Sequence, residues 1–239
     1  MKPLVVITGA SSGIGLACAK YFSNKGYPLL ILARRKEILD NLNLPNTITA
    51  KVDVRDFNQL NDAIKKAENI YGPVDLLINN AGIMPMDQYV DQSLEDKYNT
   101  LDVNIKGVTN GMDAVLKSML KQNHGTIVNI SSVAGRYTYA DHSIYNGSKF
   151  AVNAITEQVR RELSDTNIRF SLIEPAIVDT NLLSTTKNQK ILDSYIARKN
   201  SLNGGLKPEQ LAEVIYYIYS LPQDVVIPEL MISHTNQKV

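Results

Sequence analysis

The stretch "LVVITGASSGIG" (4–15) sets four apolar residues and a threonine, mostly β-branched, before a turn that carries Gly9, Gly13 and Gly15. A short apolar run of this kind predicts a buried strand, and the glycines let the backbone turn tightly and approach a neighbouring group closely. A helix that begins after the turn would offer free N–H groups and a positive dipole end to a pyrophosphate. The stretch therefore predicts the first unit of a dinucleotide-binding sheet. The alternative is a turn that only packs the strand against the helix.

Similar apolar runs recur and alternate with longer segments of helical period. The other predicted strands span 29–33, 47–52, 74–79, 126–131, 168–174 and 225–232. Continuous apolar strands between helices are typical of a parallel sheet that is covered on both faces. We therefore predict an α/β, doubly wound Rossmann fold with a roughly seven-stranded parallel sheet and helices on both faces. We expect one domain over 1–239, with the polar stretch 180–207 as an excursion near the ligand site.

Composition narrows the class of function. The chain has 239 residues, is 44% hydrophobic and carries 25 basic against 24 acidic side chains, a formal net charge of +1. This balance favours neither nucleic acid nor a membrane surface as a partner. The single cysteine, Cys18, excludes an internal disulfide, and the apolar run at the start is too short for a membrane span or a signal-peptide core. A cytoplasmic protein with a small-molecule ligand is the expectation.

The residues after the second, third and fourth predicted strands indicate the type of cofactor. NAD-binding sheets usually place an acid after the second strand, whereas this chain has Arg34 and Arg35 there. An arginine pair suits a 2′-phosphate, which favours NADP(H), and two solvated arginines are the alternative. Asp53 either accepts a hydrogen bond from the adenine amino group or caps the following turn. The "NNAG" stretch (79–82) either borders the cofactor or ties the central loops together.

A tyrosine four residues before a lysine occurs in "YNGSK" (145–149), "YFSNK" (21–25) and "YIARK" (195–199). The spacing places both side chains on one helix face, where the ammonium would lower the pKa of the phenol from about 10 towards neutrality. Only the pair at 145–149 has a serine at a strand end shortly before it, Ser132. That pair is the candidate for proton transfer, and Tyr195 remains a candidate for substrate contact.

Together, the ordered motifs resemble the short-chain dehydrogenase/reductase family in its plain single-domain form, over essentially the whole chain. The motifs are "TGASSGIG", "NNAG", Asn104 in "LDVNIKG", Ser132 in "NISSVAG", "YNGSK" and "EPAIVDT". The resemblance implies that Tyr145 is the general acid/base, that Ser132 holds the substrate oxygen, and that Lys149 binds the nicotinamide ribose and assists Tyr145. It also implies that Asn104 anchors a water in a proton relay. Gly147 and Ala176 depart from the family pattern, which usually has alanine and glycine there.

The reaction predicted on this basis is NADPH-dependent hydride transfer between nicotinamide and a small carbonyl compound or secondary alcohol. The predicted cofactor-binding residues are Gly9, Ser11, Ser12, Gly13, Ile14, Gly15, Arg34, Arg35, Asp53, Val54, Asn80, Ala81, Gly82, Tyr145, Lys149, Pro175, Ala176, Val178 and Thr180. The alternatives are a non-catalytic NADP(H)-binding redox sensor and NAD-dependent alcohol oxidation. The resemblance further implies a homodimer or homotetramer.

Candidate substrate residues follow strand ends or lie in the excursion, and two of them, Arg136 and His142, could hold a carboxylate. The candidates are Met84, Met86, Arg136, Tyr139, His142, Leu182, Leu183 and Tyr195. For each of them the alternative is a solvated loop side chain. With only 3 histidines and no companion ligands near His142, we predict no catalytic metal.

Overall fold

A computed structural model describes residues 2–239, which form a seven-stranded sheet flanked by helices. The strands are β1 (Leu4–Thr8), β2 (Leu29–Ala33), β3 (Thr47–Lys51), β4 (Val74–Asn79), β5 (Gly125–Ile130), β6 (Ile168–Pro175) and β7 (Glu229–Ile232). The α-helices are α1 (Gly13–Asn24), α2 (Lys36–Asp40), α3 (Phe57–Tyr71), α4 (Leu94–Leu101), α5 (Gly107–Gln122), α6 (Ser143–Glu162), α7 (Gln189–Asn200) and α8 (Pro208–Ser220). A π-helical turn, Asp102–Lys106, joins α4 to α5.

The strand order is β3-β2-β1-β4-β5-β6-β7, and all neighbouring strands are parallel. The predicted doubly wound sheet is thereby confirmed. Because the chain goes to β2 and β3 on one side of β1 and to β4 and beyond on the other, the order reverses at β1, where such sheets bind ligands. β7 begins at Glu229 rather than at position 225, since Pro228 has no N–H to donate to a ladder and Val225 and Val226 lie exposed before it.

Two apolar layers cover the sheet, one on each face. Val5 and Ile7 of β1 pack with α1 and α8, whereas Leu4 and Val6 pack with α3 and α5. The alternation follows from the two-residue period of a strand, and burial on both faces explains the uninterrupted apolar runs in the sequence. None of the helices within residues 2–239 combines the length and the apolar character that crossing a membrane requires.

The excursion at 180–207 folds over the carboxyl edge of the sheet. It contains a 3₁₀ turn, Asn181–Thr185, and helix α7, which the sequence pattern did not predict. Its far end returns beside its start, because Leu206 N donates to Ile177 O at 2.9 Å. Gly205 makes this approach possible, since it has φ +78° and a Cβ there would lie 2.4 Å from Ile177 O.

Candidate active site

A cavity of about 690 Å³ lies at the carboxyl edge of the sheet and collects most of the predicted site. The predicted cofactor and catalytic residues on its wall are Gly9, Ser11, Ser12, Gly13, Ile14, Arg34, Arg35, Asp53, Val54, Asn80, Ala81, Gly82, Ser132, Tyr145, Lys149, Pro175, Ala176, Val178 and Thr180. The predicted substrate residues on its wall are Met84, Tyr139, His142, Leu182, Leu183 and Tyr195. Residues from distant parts of the chain therefore share one ligand-sized space.

The glycine-rich turn has the backbone that its sequence predicts. Gly9 and Gly13 adopt φ +66° and +54°, and a Cβ on Gly9 would lie 2.8 Å from the Cα of Ala81. Gly15 serves another purpose, because it is not on the cavity wall and a Cβ there would lie 2.5 Å from Asn80 Nδ2. Gly15 therefore allows close packing between the turn and the loop after β4, and its cofactor contact stays a prediction.

The start of α1 leaves donors available at the cavity. Ser12 is the N-cap of α1, and its side chain makes no capping hydrogen bond. The first N–H groups of a helix have no partner within the helix, so they can bind an anion that also gains from the positive end of the dipole.

Arg34 and Arg35 lie exposed at the cavity rim, where neither forms a salt bridge with any residue in 2–239. Asp53, by contrast, is engaged by Arg55, whose Nε lies 3.0 Å from Asp53 Oδ1. Hydrogen bonds from the Arg55 side chain lower the pKa of Asp53, and the charge of Arg34 lowers it further. Asp53 therefore closes its own turn while it lines the cavity, and contact with adenine stays a prediction.

The "NNAG" amides tie the central loops together. Asn79 is buried and donates to Asn129 Oδ1 at 2.9 Å, which links β4 to β5 through their side chains. Asn80 Nδ2 donates to the carbonyl oxygens of Thr8 at 3.0 Å and Gly9 at 3.2 Å, which fixes the glycine-rich turn. Because Asn80 also lines the cavity, its side chain supports the turn from the ligand side.

Ser132 and Tyr145 border the same part of the cavity. Ser132 follows β5 and is the N-cap of a 3₁₀ turn, Val133–Gly135, through a 3.1 Å hydrogen bond that its Oγ accepts from Ala134 N. Tyr145 lies in the first turn of α6 and is only 6% exposed. Burial raises the pKa of Tyr145 above its usual value of 10, and a hydrogen bond with Ser132 opposes that increase.

Lys149 contacts both the backbone of β5 and the ring of Tyr145. Its Nζ donates to Ile130 O at 2.8 Å and lies 5.7 Å from the centre of the Tyr145 ring. The pKa of Tyr145 is raised here rather than lowered, because burial of the phenol is the largest effect on it. Burial also lowers the pKa of Lys149 itself to about 8.

Asn104 is fully buried in the π-helical turn and is not on the cavity wall. Its Oδ1 accepts from Ile83 N at 2.9 Å, and its Nδ2 donates to Ile83 O and to Ser148 Oγ, both at 3.0 Å. Asn104 thus fixes Ile83, which does line the cavity, against α6. π-helical turns are frequent at functional sites. Its predicted role in a water relay stays a prediction.

His142 lies among three tyrosines. Its ring centre is 6.2 Å from that of Tyr145, 6.1 Å from Tyr139 and 6.2 Å from Tyr195. Burial lowers the pKa of His142, which favours the neutral imidazole. The Nδ1 atom lies within hydrogen-bonding distance of Ala140 O, so Nδ1–H donates and Nε2 is left as an acceptor.

Arg136 was predicted to hold a substrate carboxylate, but it is not on the cavity wall. Its Nε lies 3.3 Å from Glu174 Oε1, and its Nη2 pairs with Glu229 of β7. Glu174 is 1% exposed, and a buried carboxylate is stable only with a counter-charge or donors. The charge of Arg136 is therefore used to neutralise the sheet interior and is not available to a substrate.

A sequence model of the short chain dehydrogenase family matches residues 3–191. The chain belongs to the short-chain dehydrogenase/reductase family. It is 35% identical to an uncharacterised oxidoreductase of Staphylococcus saprophyticus over 99% of this chain and 97% of that protein. Among solved structures, the closed form of a serine dehydrogenase complexed with NADP+ has a TM-score of 0.91 at 30% identity, covering 99% of this chain and 96% of that one. An alcohol dehydrogenase from Thermococcus sibiricus, complexed with 5-hydroxy-NADP, has a TM-score of 0.86 at 26% identity, covering 100% and 99%.

Short-chain dehydrogenases/reductases are oxidoreductases that use nicotinamide cofactors, and the residues of this chain fit such a group. The close approach at Gly9 leaves no room for a side chain, and the unclaimed N–H groups of α1 suit a pyrophosphate. Two arginines without carboxylate partners in residues 2–239 suit a further phosphate. The fit therefore rests on both shape and charge.

Neither departure from the family pattern disturbs the site. A Cβ on Gly147 would meet nothing within 4 Å, so the alanine usual in the family would be accommodated. Ala176 keeps a negative φ, and its N–H donates to Ile232 O at 2.9 Å. The loop after β6 therefore turns without the positive φ that a glycine would allow.

Many residues on the cavity wall were not predicted from the sequence. They include Ile83, Val103, Leu192, Ile196, Arg198 and Gln237. Arg198 had a local signal, since it lies three residues after Tyr195 and shares its side of a helix. Gln237 had none, because it reaches the cavity only through the fold of the C-terminal segment, where its Oε1 accepts from Ile177 N at 3.1 Å.

Proposed function

We propose that this protein is an NADP(H)-dependent oxidoreductase that transfers a hydride between nicotinamide and a small carbonyl compound or secondary alcohol. The observation that carries the proposal is that Ser132, Tyr145 and Lys149 line the same cavity as the glycine-rich turn and Arg34. A proton donor and a dinucleotide cradle thus share one space. The NADP-type ligands named for two similar structures add support.

The chain supplies a binding surface for each part of the cofactor. The glycine-rich turn and the first N–H groups of α1 would hold the pyrophosphate, and Arg34 with Arg35 would hold the 2′-phosphate. Lys149 would bind the nicotinamide ribose. The bound cofactor would supply the hydride in reduction and accept it in oxidation.

Tyr145 handles the proton at the substrate oxygen. Burial raises its pKa, so the phenol holds its proton at neutral pH and can donate it when a carbonyl is reduced. Ser132 is a neutral hydroxyl beside it and can donate a hydrogen bond to the developing alkoxide without adding a competing charge. Lys149, with a pKa of about 8, is mostly cationic at pH 7 and favours the phenolate that Tyr145 leaves behind.

The variant Tyr145→Phe tests this function, because it removes the proton and keeps the ring. We expect NADPH binding, measured by fluorescence titration, to change less than about threefold, while carbonyl-dependent NADPH oxidation falls by a factor of about 10² to 10⁴. Tyr21→Phe is the matched control. Tyr21 packs against Tyr216 away from the cavity, so its substitution should leave turnover unchanged. Turnover that survives in Tyr145→Phe contradicts the assignment and leaves the redox-sensor alternative.

A further inference from the structure

Two arginines come near the substrate end of the cavity, and the structure uses them differently. Arg136 is paired with Glu174 and Glu229 and does not line the cavity. Arg198, on α7, lines the cavity and forms no salt bridge with any residue between 2 and 239. Its charge is therefore available to a ligand.

The guanidinium of Arg198 has defined contacts, but these contacts use few of its N–H donors. It lies 5.8 Å from the centre of the Tyr139 ring, and its Nη2 donates to Lys238 O at 3.2 Å. A guanidinium has five N–H donors, so most of them are left for another acceptor. The hydroxyl of Tyr139 is buried without a hydrogen-bond partner and is a further donor at the same place.

The charge of Arg198 acts on the inner side chains of the site. Burial raises the pKa of Tyr139 and of Tyr195, and the positive charge of Arg198 opposes both increases. Burial lowers the pKa of His142, and the same charge lowers it further. Since His142 packs against Tyr145, the field of Arg198 extends to the neighbours of the proton donor.

Nothing on the cavity wall balances this charge at the substrate end. Within residues 2–239, the wall carries one carboxylate, Asp53, and Arg55 holds that group at the other end, beside Arg34. The Asp141 side chain, next to His142, is not on the wall. The same part of the wall also carries apolar side chains, among them Met84, Leu182, Leu183, Leu192 and Ile196.

We propose that Arg198 binds a carboxylate of the substrate, with the Tyr139 hydroxyl as second donor, so that the protein acts on small oxo and hydroxy acids. The inference rests on the proposed function and narrows its substrate class. In the reductive direction the carbonyl carbon gains a hydride from NADPH, which becomes NADP+, and the oxygen gains a proton from Tyr145. The carboxylate is unchanged, and it serves to orient the carbonyl towards Ser132 and Tyr145.

Acetoacetate and its methyl ester form the test pair, because they differ in charge but share the ketone. We expect wild-type protein to prefer acetoacetate in kcat/KM, and Arg198→Met to lower that value by about 10- to 100-fold, mainly through KM. The value for methyl acetoacetate should change less than about threefold, and Arg198→Lys should recover part of the loss because it keeps the charge. Arg161→Met, an exposed arginine of α6 paired with Glu157, is the matched control and should change neither value.

Binding of butanoate and butanamide, measured by calorimetry on protein saturated with NADPH, gives a second readout that needs no turnover. Butanoate should bind wild-type protein more tightly than butanamide, and Arg198→Met should abolish the difference. If no carbonyl is reduced but this difference is found, the proposed function fails and the carboxylate site stands. The carboxylate site is overturned, while the reductase function stands, if the wild-type kcat/KM for methyl acetoacetate equals that for acetoacetate. The same conclusion follows if Arg198→Met leaves both the substrate ratio and butanoate binding unchanged.

Discussion

The ammonium of Lys149 donates to the carbonyl oxygen of Ile130 at 2.8 Å, which joins the proton-handling helix α6 to the last residue of β5. Lys149 is 5% exposed, and the next residues of the chain after Ile130 lead to Ser132. The contact therefore positions Lys149 and the strand end that carries Ser132 relative to each other. It also places a charge where burial disfavours it, which lowers the pKa of Lys149 to about 8.

We predict an alkaline limb in the pH dependence of reduction. Lys149 is cationic below its pKa of about 8 and loses its charge as the pH rises through that value. Tyr145 stays protonated over this range, because burial raises its pKa. The value of kcat/KM for NADPH, which reports ionisations of the free protein, should thus fall above about pH 8.

The variant Lys149→Arg tests whether the loss of the Lys149 charge causes the alkaline limb. Arginine stays protonated at every pH used, so the remaining activity should lack the limb near pH 8 even though the overall rate falls. A limb that stays at the same pH in Lys149→Arg would assign the ionisation to another group and contradict the prediction.

We predict that Arg34→Ala weakens NADPH binding by about 10- to 100-fold, the loss expected for one hydrogen-bonded charge. NADH binding should change less than about twofold, because NADH lacks the 2′-phosphate. Lys36→Ala is the matched control, since Lys36 is nearby but pairs with Asp40 at 2.7 Å and is not on the cavity wall. Fluorescence titration with both nucleotides measures the effect. Equal losses for NADPH and NADH would exclude the phosphate contact.

We predict opposite effects of the same substitution at two glycines. Gly147→Ala adds a methyl group to an exposed helix position with nothing within 4 Å, and should stabilise the protein by about 1 kcal/mol, or about 2–4 °C in Tm. Gly9→Ala forces alanine into φ +66° at 2.8 Å from the Cα of Ala81, and should lower Tm and abolish NADPH binding. Differential scanning calorimetry measures both changes in Tm, and fluorescence titration measures NADPH binding. A lower Tm in Gly147→Ala would show that another surface covers position 147.

The fold could be predicted because most of its strands can be recognised from their own short stretches of sequence. The predicted bounds of β1, β2 and β4 match the structure, since a strand buried on both faces appears as a continuous apolar run. Helix α7 escaped the prediction because none of its residues is buried, so it has no apolar stripe of the usual kind. Its apolar side chains, such as Leu192 and Ile196, lie on the cavity wall instead of in the core.

The site residues could be predicted where one short motif contains both the reactive side chain and the residue that assists it. Tyr145 and Lys149 share a helix, so their spacing carried the information. The choice between Arg136 and Arg198 was not predictable, because the partners of Arg136 are Glu174 and Glu229, which are distant in sequence. Which cation is neutralised depends on strand neighbours, and only the folded sheet brings those together.

Asn153 continues the face of α6 that carries Tyr145 and Lys149, again at a spacing of four. Its Nδ2 donates to Gly135 O at 3.1 Å and also contacts Glu174 Oε1, while its Oδ1 accepts from Ser131 Oγ. These contacts connect Asn153 to the strand end before Ser132 and to the 3₁₀ turn after it. We therefore expect Asn153 to act as a positioning residue for Ser132.

We predict that Asn153→Ala lowers kcat by at least about tenfold, because a small displacement of a catalytic group is costly. NADPH binding should change less than about twofold, since Asn153 is not on the cavity wall. The variant should also lose about 1–3 kcal/mol in urea unfolding, because the buried carboxylate of Glu174 keeps only Arg136 as a partner. Gln158→Ala, an exposed position on the same helix, is the control for a general effect on α6. If Asn153→Ala is destabilised but keeps the wild-type kcat, the strand end holds Ser132 without it, and Asn153 only stabilises the fold.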